Sequence, residues 1–477
     1  MAEYYLLGVE IATALLGLIL LVMGLLVPKT HNKGIANIAI IGFIAIFGVN
    51  FLYAGTNASF LNGMYLIDPF SLFFKGLLLI AVFFTCLISK DYILEQGYGQ
   101  GEYYSLVTFA TLGMMIMVSA GDLITFYLGL ELNTIAFVIL VAFRKNCAKS
   151  TEAGIKYVLL SAMSSAVLLY GLSLVYGATK SVLLTEIAKI INQQGIQPLL
   201  LIGMIFTLAG FGFKVSAVPF HMWSPDVYEG APTPITGFMS VASKAAAFAI
   251  FVRFFMIALA PVQETWVIVI TALTVLTLVL GNLVAIPQTN IKRMLAYSSV
   301  GQAGFILLGM VAFSKLGVAA IMFHSLLYVF ANMGAFGVAT VVGKSIGSDQ
   351  IKDYQGLWKR SPLMAAVMLI CLLSLAGIPP LAGFVSKFYL FTAVIEQGHI
   401  WLAFIAIGMS MVSVYYYLIV AKAMYLGQPE EGAEPIKVPG SVQLALALCL
   451  IVLVFFGVYP TPFTNLVLDV ATAFFPF

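Results

Sequence analysis

The chain has 477 residues, 62% of them hydrophobic and 9% charged, with a mean hydropathy of +1.05. A soluble domain carries roughly 25% charged residues, so this composition excludes a water-solvated globule and makes lipid the main solvent. The net charge of +3 is too small and too scattered for a nucleic-acid partner.

A helix crosses the hydrocarbon with about 20 mostly apolar residues. Fourteen segments meet that length: 4–27, 36–54, 70–89, 103–120, 122–143, 153–177, 198–220, 234–260, 266–286, 292–313, 316–343, 362–397, 400–426 and 441–461. The seventh and the twelfth are interrupted by proline. The opening "MAEYYLLGVEIATALL" lacks a basic n-region and a small-residue cleavage site, so it is expected to stay as the first helix. The tail "FTNLVLDVATAFFPF" has the pattern of a short interfacial helix.

Basic residues orient such a bundle. With the N-terminus outside, fourteen Lys and Arg from Lys29 to Lys437, Lys292 among them, fall on one side. Only Lys180, Lys189 and Lys315 fall on the other. The positive-inside rule then puts the fourteen in the cytoplasm and both termini on the outer face of the cell's inner (plasma) membrane. The longest polar connections, 90–102, 344–361 and 427–440, are too short to fold alone, which leaves one membrane domain over 1–477. No Walker A motif, Rossmann fingerprint or HExxH occurs, so no cofactor or metal site is expected in this chain. Cys86, Cys147, Cys371 and Cys449 are far apart, without CxxC spacing, and are expected as small hydrophobes.

Six basic residues remain inside predicted helices: Lys75, Lys156, Lys214, Lys244, Arg253 and Lys387, with the acids Glu10 and Glu131. A charge at the bilayer centre costs about 2.5–3.5 kcal/mol on insertion scales, so each must pair, face the bundle interior or meet water. Lys156 follows Glu152 by four residues and suits an end-of-helix pair. Glu10 and Lys75 suit structural pairing, and Arg253, past the middle of its helix toward the outer face, suits structural pairing or function equally. Glu131, Lys214, Lys244 and Lys387 lie near helix midpoints, where a lysine can change protonation as a partner carboxylate moves. His324 lies mid-helix between the two lysine regions and can titrate near neutral pH as a relay between Lys244 and Lys387, or serve as a hydrogen-bonded structural residue.

In "FGFKVSAVPFHMWSPDVYEGAPTP", Pro219 leaves the Val215 carbonyl without its helical partner, just after Lys214 and beside His221. In "SLAGIPPLAGFVSKFYLF", Pro379 and Pro380 free the carbonyls of Leu375 and Ala376 ahead of Lys387. A broken helix is tolerated at membrane depth only when buried in protein or lining a wet cavity. Two such helices, five helices apart, predict two inverted five-helix repeats, 103–260 and 266–426, flanked by helices in 1–89 and 441–477.

At these residues the sequence resembles the antiporter-like membrane subunits of respiratory complex I and its relatives, over essentially the whole chain. "FKVSAVPFHMWSPDVYEGAPTPITGFMSVASKAAAF" and "GIPPLAGFVSKFYLF" are most similar to the N-type branch. The resemblance implies that Glu131 pairs with Lys214, that Lys244 connects onward, and that Lys387 lies near the outward exit, with His324 in the central polar axis. It implies proton translocation from cytoplasm to outside, within a translocase of the NADH:quinone oxidoreductase type. Flavin, iron–sulfur clusters and quinone belong to partner subunits on this reading, and the expected neighbours are K-type and M-type chains and lipid. The alternatives are an Mrp-like cation/proton antiporter subunit and a scaffold that moves no protons. A sodium site would want more intramembrane oxygens than one central glutamate supplies.

Overall fold

The computed structural model describes residues 4–26, 33–429 and 432–475. Lys29 lies outside the described residues. Apolar runs without polar periodicity become long helices, because in lipid every backbone N–H and C=O must be satisfied within the segment. The first two, α1 (Gly8–Leu26) and α2 (Lys33–Leu52), lead to a hairpin of β1 (Ala58–Phe60) and β2 (Tyr65–Ile67). Then come α3 (Pro69–Glu95), α4 (Gln100–Val118), α5 (Leu123–Val141), α6 (Ala148–Thr179) and α7 (Leu184–Gln194). The first interrupted region is α8 (Pro198–Val215), α9 (Trp223–Gly230) and α10 (Thr233–Phe238), which runs through a π-helical turn, Met239–Ser243, into α11 (Lys244–Arg253). Next are α12 (Gln263–Ala285), α13 (Ile291–Ala312), α14 (Lys315–Ile346) and the short α15 (Leu357–Arg360). The second interrupted helix is α16 (Pro362–Ala376) and α17 (Ala382–Glu396), followed by α18 (Ile400–Leu426), α19 (Gly440–Val458) and α20 (Thr461–Phe474).

Thirteen helices among the described residues are long and apolar enough to cross a membrane. The sequence count of fourteen also includes the broken pair α16–α17, whose halves are each too short to count by length. The start signals are local. Asp68 forms a capping box with Ser71 at α3, Asp122 accepts from the Thr125 and Ile124 amides, and Asn290 and Ser314 cap α13 and α14. The structure adds two elements that hydropathy does not reveal, the β1–β2 hairpin and the amphipathic α7. Both are too short or too polar to register as spans.

Burial sorts the helices by role. The helices α13 and α14 and the segment Thr233–Ala258 are buried almost throughout, whereas α2, α6, α18 and α19 expose most of their apolar surface. An apolar helix can turn its side chains outward only where the solvent is lipid. The interior triplet is also the one that carries Lys244, Ser299 and His324, so the polar groups occupy the helices farthest from lipid.

Candidate functional site

Both proline breaks form where the sequence places them. The helix α8 stops at Val215, with Ser216 left-handed, and the indole Nε1 of Trp223 donates to the Phe213 carbonyl at 2.9 Å. The amide of Val218 donates to Thr277 Oγ1 at 2.9 Å, which fastens the break to α12. In the second break α16 ends at Ala376. The freed Leu375 carbonyl accepts from Gln302 Nε2 at 2.9 Å, and the freed Ala376 carbonyl accepts from Lys387 Nζ at 3.1 Å. The proline thus creates the acceptor that the buried lysine uses.

Each lysine of the interior is held by hydroxyls and carbonyls. Lys214 Nζ donates to Thr134 Oγ1 at 2.6 Å. Glu131, one turn earlier on α5, keeps its Oε1 without a hydrogen-bond partner and forms no ion pair within 4 Å of Lys214. The pairing that the resemblance implies is therefore replaced in this structure by a hydroxyl contact, although Glu131 stays within electrostatic reach. Lys244 follows the π-helical turn and donates to Ser299 Oγ at 2.5 Å and to its carbonyl at 2.9 Å. Lys387 also donates to Ser410 Oγ at 2.9 Å, and its ammonium stands 4.1 Å from the Phe305 ring centroid.

Polar side chains lie between these lysines without forming one continuous hydrogen-bonded chain. Asn133, next to Thr134, donates to Ser243 Oγ at 3.3 Å, and Ser243 precedes Lys244. Beyond Lys244, Ser298 shares a 2.5 Å hydrogen bond with the Tyr417 hydroxyl, and Gln302 on the next turn reaches the second break. His324 bonds through Nδ1 to Ser386 Oγ at 3.0 Å, adjacent to Lys387, while its Nε2 has no partner. No direct bond joins His324 to Lys244 or Lys387. His221 lies in the first break with Nδ1 unpartnered, facing Tyr297 and within electrostatic reach of Lys244, and it makes no hydrogen bond to Lys214. Sequence reasoning missed Asn133, Thr134, Ser299, Gln302 and Tyr417. The signal for Asn133, Thr134, Ser299 and Gln302 was uncharged polar residues inside apolar helices, in "ELNT" and "AYSSVGQ", and Tyr417 gave no such signal.

At the end of α9 a second group of charges clamps the broken helix. Lys156 meets both Glu152 and Asp226 at 2.7 Å, and Arg293 meets Asp226 at 2.7 Å and Glu229 at 3.0 Å. Lys149 meets Glu229 at 3.0 Å. Partial burial opposes both α9 carboxylates, yet the bonds from Lys156 and Arg293 hold Asp226 below the usual carboxylate range, and those from Lys149 and Arg293 do the same for Glu229. Arg144 donates to the Gly230 carbonyl at 3.0 Å and Lys292 to the Ala231 carbonyl at 2.9 Å, where a helix C-terminus favours cations. Lys292, counted above among the charges on the cytoplasmic side, is 1% exposed. It begins a helix packed on all sides, and hydropathy alone does not distinguish that from a loop end.

The NADH:quinone oxidoreductase/Mrp antiporter transmembrane family matches residues 120–413, which include Glu131, Lys214, Lys244, His324 and Lys387. The chain belongs to this family. It is 59% identical to NADH-quinone oxidoreductase subunit N of Moorella thermoacetica, over the full length of both chains. A chain of respiratory complex I from Thermus thermophilus superposes with a TM-score of 0.81 at 30% identity, over 96% of this chain and 98% of that one. A chain of the Mrp complex from Dietzia superposes with a TM-score of 0.86 at 19% identity, over 98% and 97%, and shares the fold. With thirteen helices long and apolar enough to cross among the described residues, this family member is a multi-pass membrane protein.

Proposed function

We propose that this chain is a non-redox, proton-translocating subunit of a complex I-type membrane arm. The observation that carries the reading is the set of buried Lys214, Lys244 and Lys387, flanking and within the interior helices, each held by hydroxyls or carbonyls and with polar side chains between them. Relatives named NADH-quinone oxidoreductase subunit N support the assembly, and they favour it over an Mrp-like antiporter. Electron transfer in partner subunits drives the cycle, and the flavin, iron–sulfur clusters and quinone reside there. Neighbours of the K and M types flank the chain.

Glu131 swings toward Lys214 to hold its proton as an ion pair, and swings away to release it. Thr134 then receives the ammonium. The proton passes by Asn133 and Ser243 to Lys244, and by way of Ser299 and water, with His324 beside the route, to Lys387. Both termini face outward, so transport runs from cytoplasm to outside. The two broken helices belong to inverted repeats, 103–260 and 266–426, that place equivalent breaks at the two ends of the line. Moving one charge against 100 mV costs about 2.3 kcal/mol. One to two units of change in proton affinity supply about 1.4–2.7 kcal/mol, so a modest rearrangement suffices.

The test is proton pumping by the reconstituted complex carrying Lys214→Ala, measured with its electron-transfer rate. Both fall if Lys214 lies on the coupled path while the complex stays assembled. Unchanged pumping per electron makes the lysine structural and overturns the reading.

A further inference from the structure

A second buried acid–base group lies outside the Lys214–Lys387 line. Lys75 on α3 is 1% exposed and meets Glu10 of α1 at 2.8 Å. The contact is an ion pair without aligned hydrogen-bond geometry, and both Glu10 oxygens are buried without a hydrogen-bond partner. The Tyr65 hydroxyl is turned toward Glu10 and Ser119, and its ring lies 5.1 Å from the Lys75 ammonium. Tyr65 Oη and Ser119 Oγ are also buried and unpartnered. Beyond the ion-paired Glu10 Oε1, three polar atoms (Glu10 Oε2, Tyr65 Oη and Ser119 Oγ) stay buried without a partner, more than a static structural pair leaves open, because an unmet buried polar group is costly. Such a set is met by water, which needs two to four polar partners.

Among the described residues, the surrounding elements add no unpaired charge. On the side toward the hairpin, Asp68 and Arg253 satisfy each other in a two-bonded pair at 2.8 and 3.0 Å. The α2 side contributes neutral Asn50, bonded to the Leu72 carbonyl, and α4 contributes Ser119. The Asp68–Arg253 pair also fixes depth. Lys75 is seven residues along α3 from Asp68 and Lys244 nine residues along its helix from Arg253. At 1.5 Å per residue these are about 10 and 14 Å, so the two lysines lie at similar depth on helices that pack together.

We propose that Glu10 and Lys75, with Tyr65 beside them, form a second proton-holding site, lateral to the central line and solvated by water. One proton moves from Lys75 Nζ to a Glu10 carboxylate oxygen. The N–H bond breaks, the O–H bond forms, and the ion pair becomes a neutral pair with no other reactant. In a buried site the Coulombic gain of an ion pair roughly cancels its desolvation, so the two forms lie close in free energy.

The inference rests on the proton-translocating reading, and its test separates the two. Lys75→Arg keeps the positive charge and the ion pair but cannot give up a proton. In the reconstituted, assembled complex we expect protons pumped per electron to fall by about twofold in Lys75→Arg, with a drop also in Lys214→Ala. Normal pumping in Lys75→Arg makes the pair a structural tie and overturns the inference, whatever Lys214→Ala does. Normal pumping in Lys214→Ala alone overturns the central line and leaves the Glu10–Lys75 site standing. Should the bulkier arginine prevent assembly, the neutral, hydrogen-bonding pair Glu10→Gln with Lys75→Gln decides. It pumps less per electron if protons are held there, and pumps normally if only cohesion matters.

Discussion

Lys214 gives its hydrogen bond to Thr134 and not to Glu131, although the two residues occupy the same stripe of α5, three positions apart. The hydroxyl of Thr134 bonds onward to the Leu130 carbonyl at 2.6 Å, so it presents its lone pairs to the ammonium and gives it a neutral resting place. A lysine docked on a hydroxyl with its carboxylate one turn away has the geometry of an opened ion pair. Three-residue spacing on a helix lets Nζ choose between the two oxygens by a change of rotamer.

Thr134→Val keeps the shape and removes that resting place. A buried ammonium that loses a hydrogen bond costs about 1–3 kcal/mol, which lowers occupancy of the opened state by about fivefold to 150-fold. We expect pumping to slow while assembly holds, and Thr134→Ser to restore it. Initial rates of acidification in proteoliposomes measure this. Equal rates in the Val and Ser variants would sink the idea.

Gly377 closes α16 at φ 84°, a left-handed conformation that glycine adopts freely. A Cβ there would lie 2.9 Å from Lys387 Cδ. Gly377→Ala therefore strains the backbone by about 1 kcal/mol and also displaces the lysine stem from the Ala376 carbonyl. Pumping is expected to fall more than thermal stability does. A stability loss without a pumping defect would show that the lysine tolerates the shift.

Gly113 lets α4 and α5 approach until a Cβ would sit 2.6 Å from the Asn133 amide. Gly113→Val forces the helices apart and moves Asn133 from Ser243. The expected result is reduced assembly of the complex, seen on native gels. In whatever fraction assembles, less pumping per electron should remain.

The α9 clamp gives a pH dependence with a definite sign. Hydrogen bonds and cations hold Asp226 and Glu229 below the usual carboxylate range despite partial burial. Their contribution is thus fully present above the ordinary carboxylate value near 4, and is lost as pH falls through the lower folded values. Thermal unfolding midpoints of the purified complex should decline on the acid side. The decline should be flatter in Asp226→Asn with Glu229→Gln, and an equally steep decline in that variant would remove these carboxylates from the account.

Hydropathy and proline placement made the crossings and the two breaks legible, because lipid imposes one rule on every spanning segment. Glu131, Lys214, Lys244 and Lys387 stood out on insertion cost alone, since few charges occur in such a chain. The hairpin over 58–67 and α7 stayed hidden, as short amphipathic elements carry little periodic signal. The burial of Lys292 stayed hidden because a lysine at a helix start looks alike in sequence whether water or protein surrounds it.

What the amino-acid order determined by itself was the solvent, the number of crossings, the positions of the breaks and the list of costly charges. Each follows from a local quantity: apolar length, a missing N–H, or the price of an ion in hydrocarbon. What only the tertiary structure decided was partnership. Lys75 finds Glu10 sixty-five residues away, Arg253 finds Asp68, Lys387 finds the carbonyl that Pro380 frees, and Lys214 rests on Thr134. Partners are set by which helix faces meet in the bundle, and that depends on packing across the whole chain.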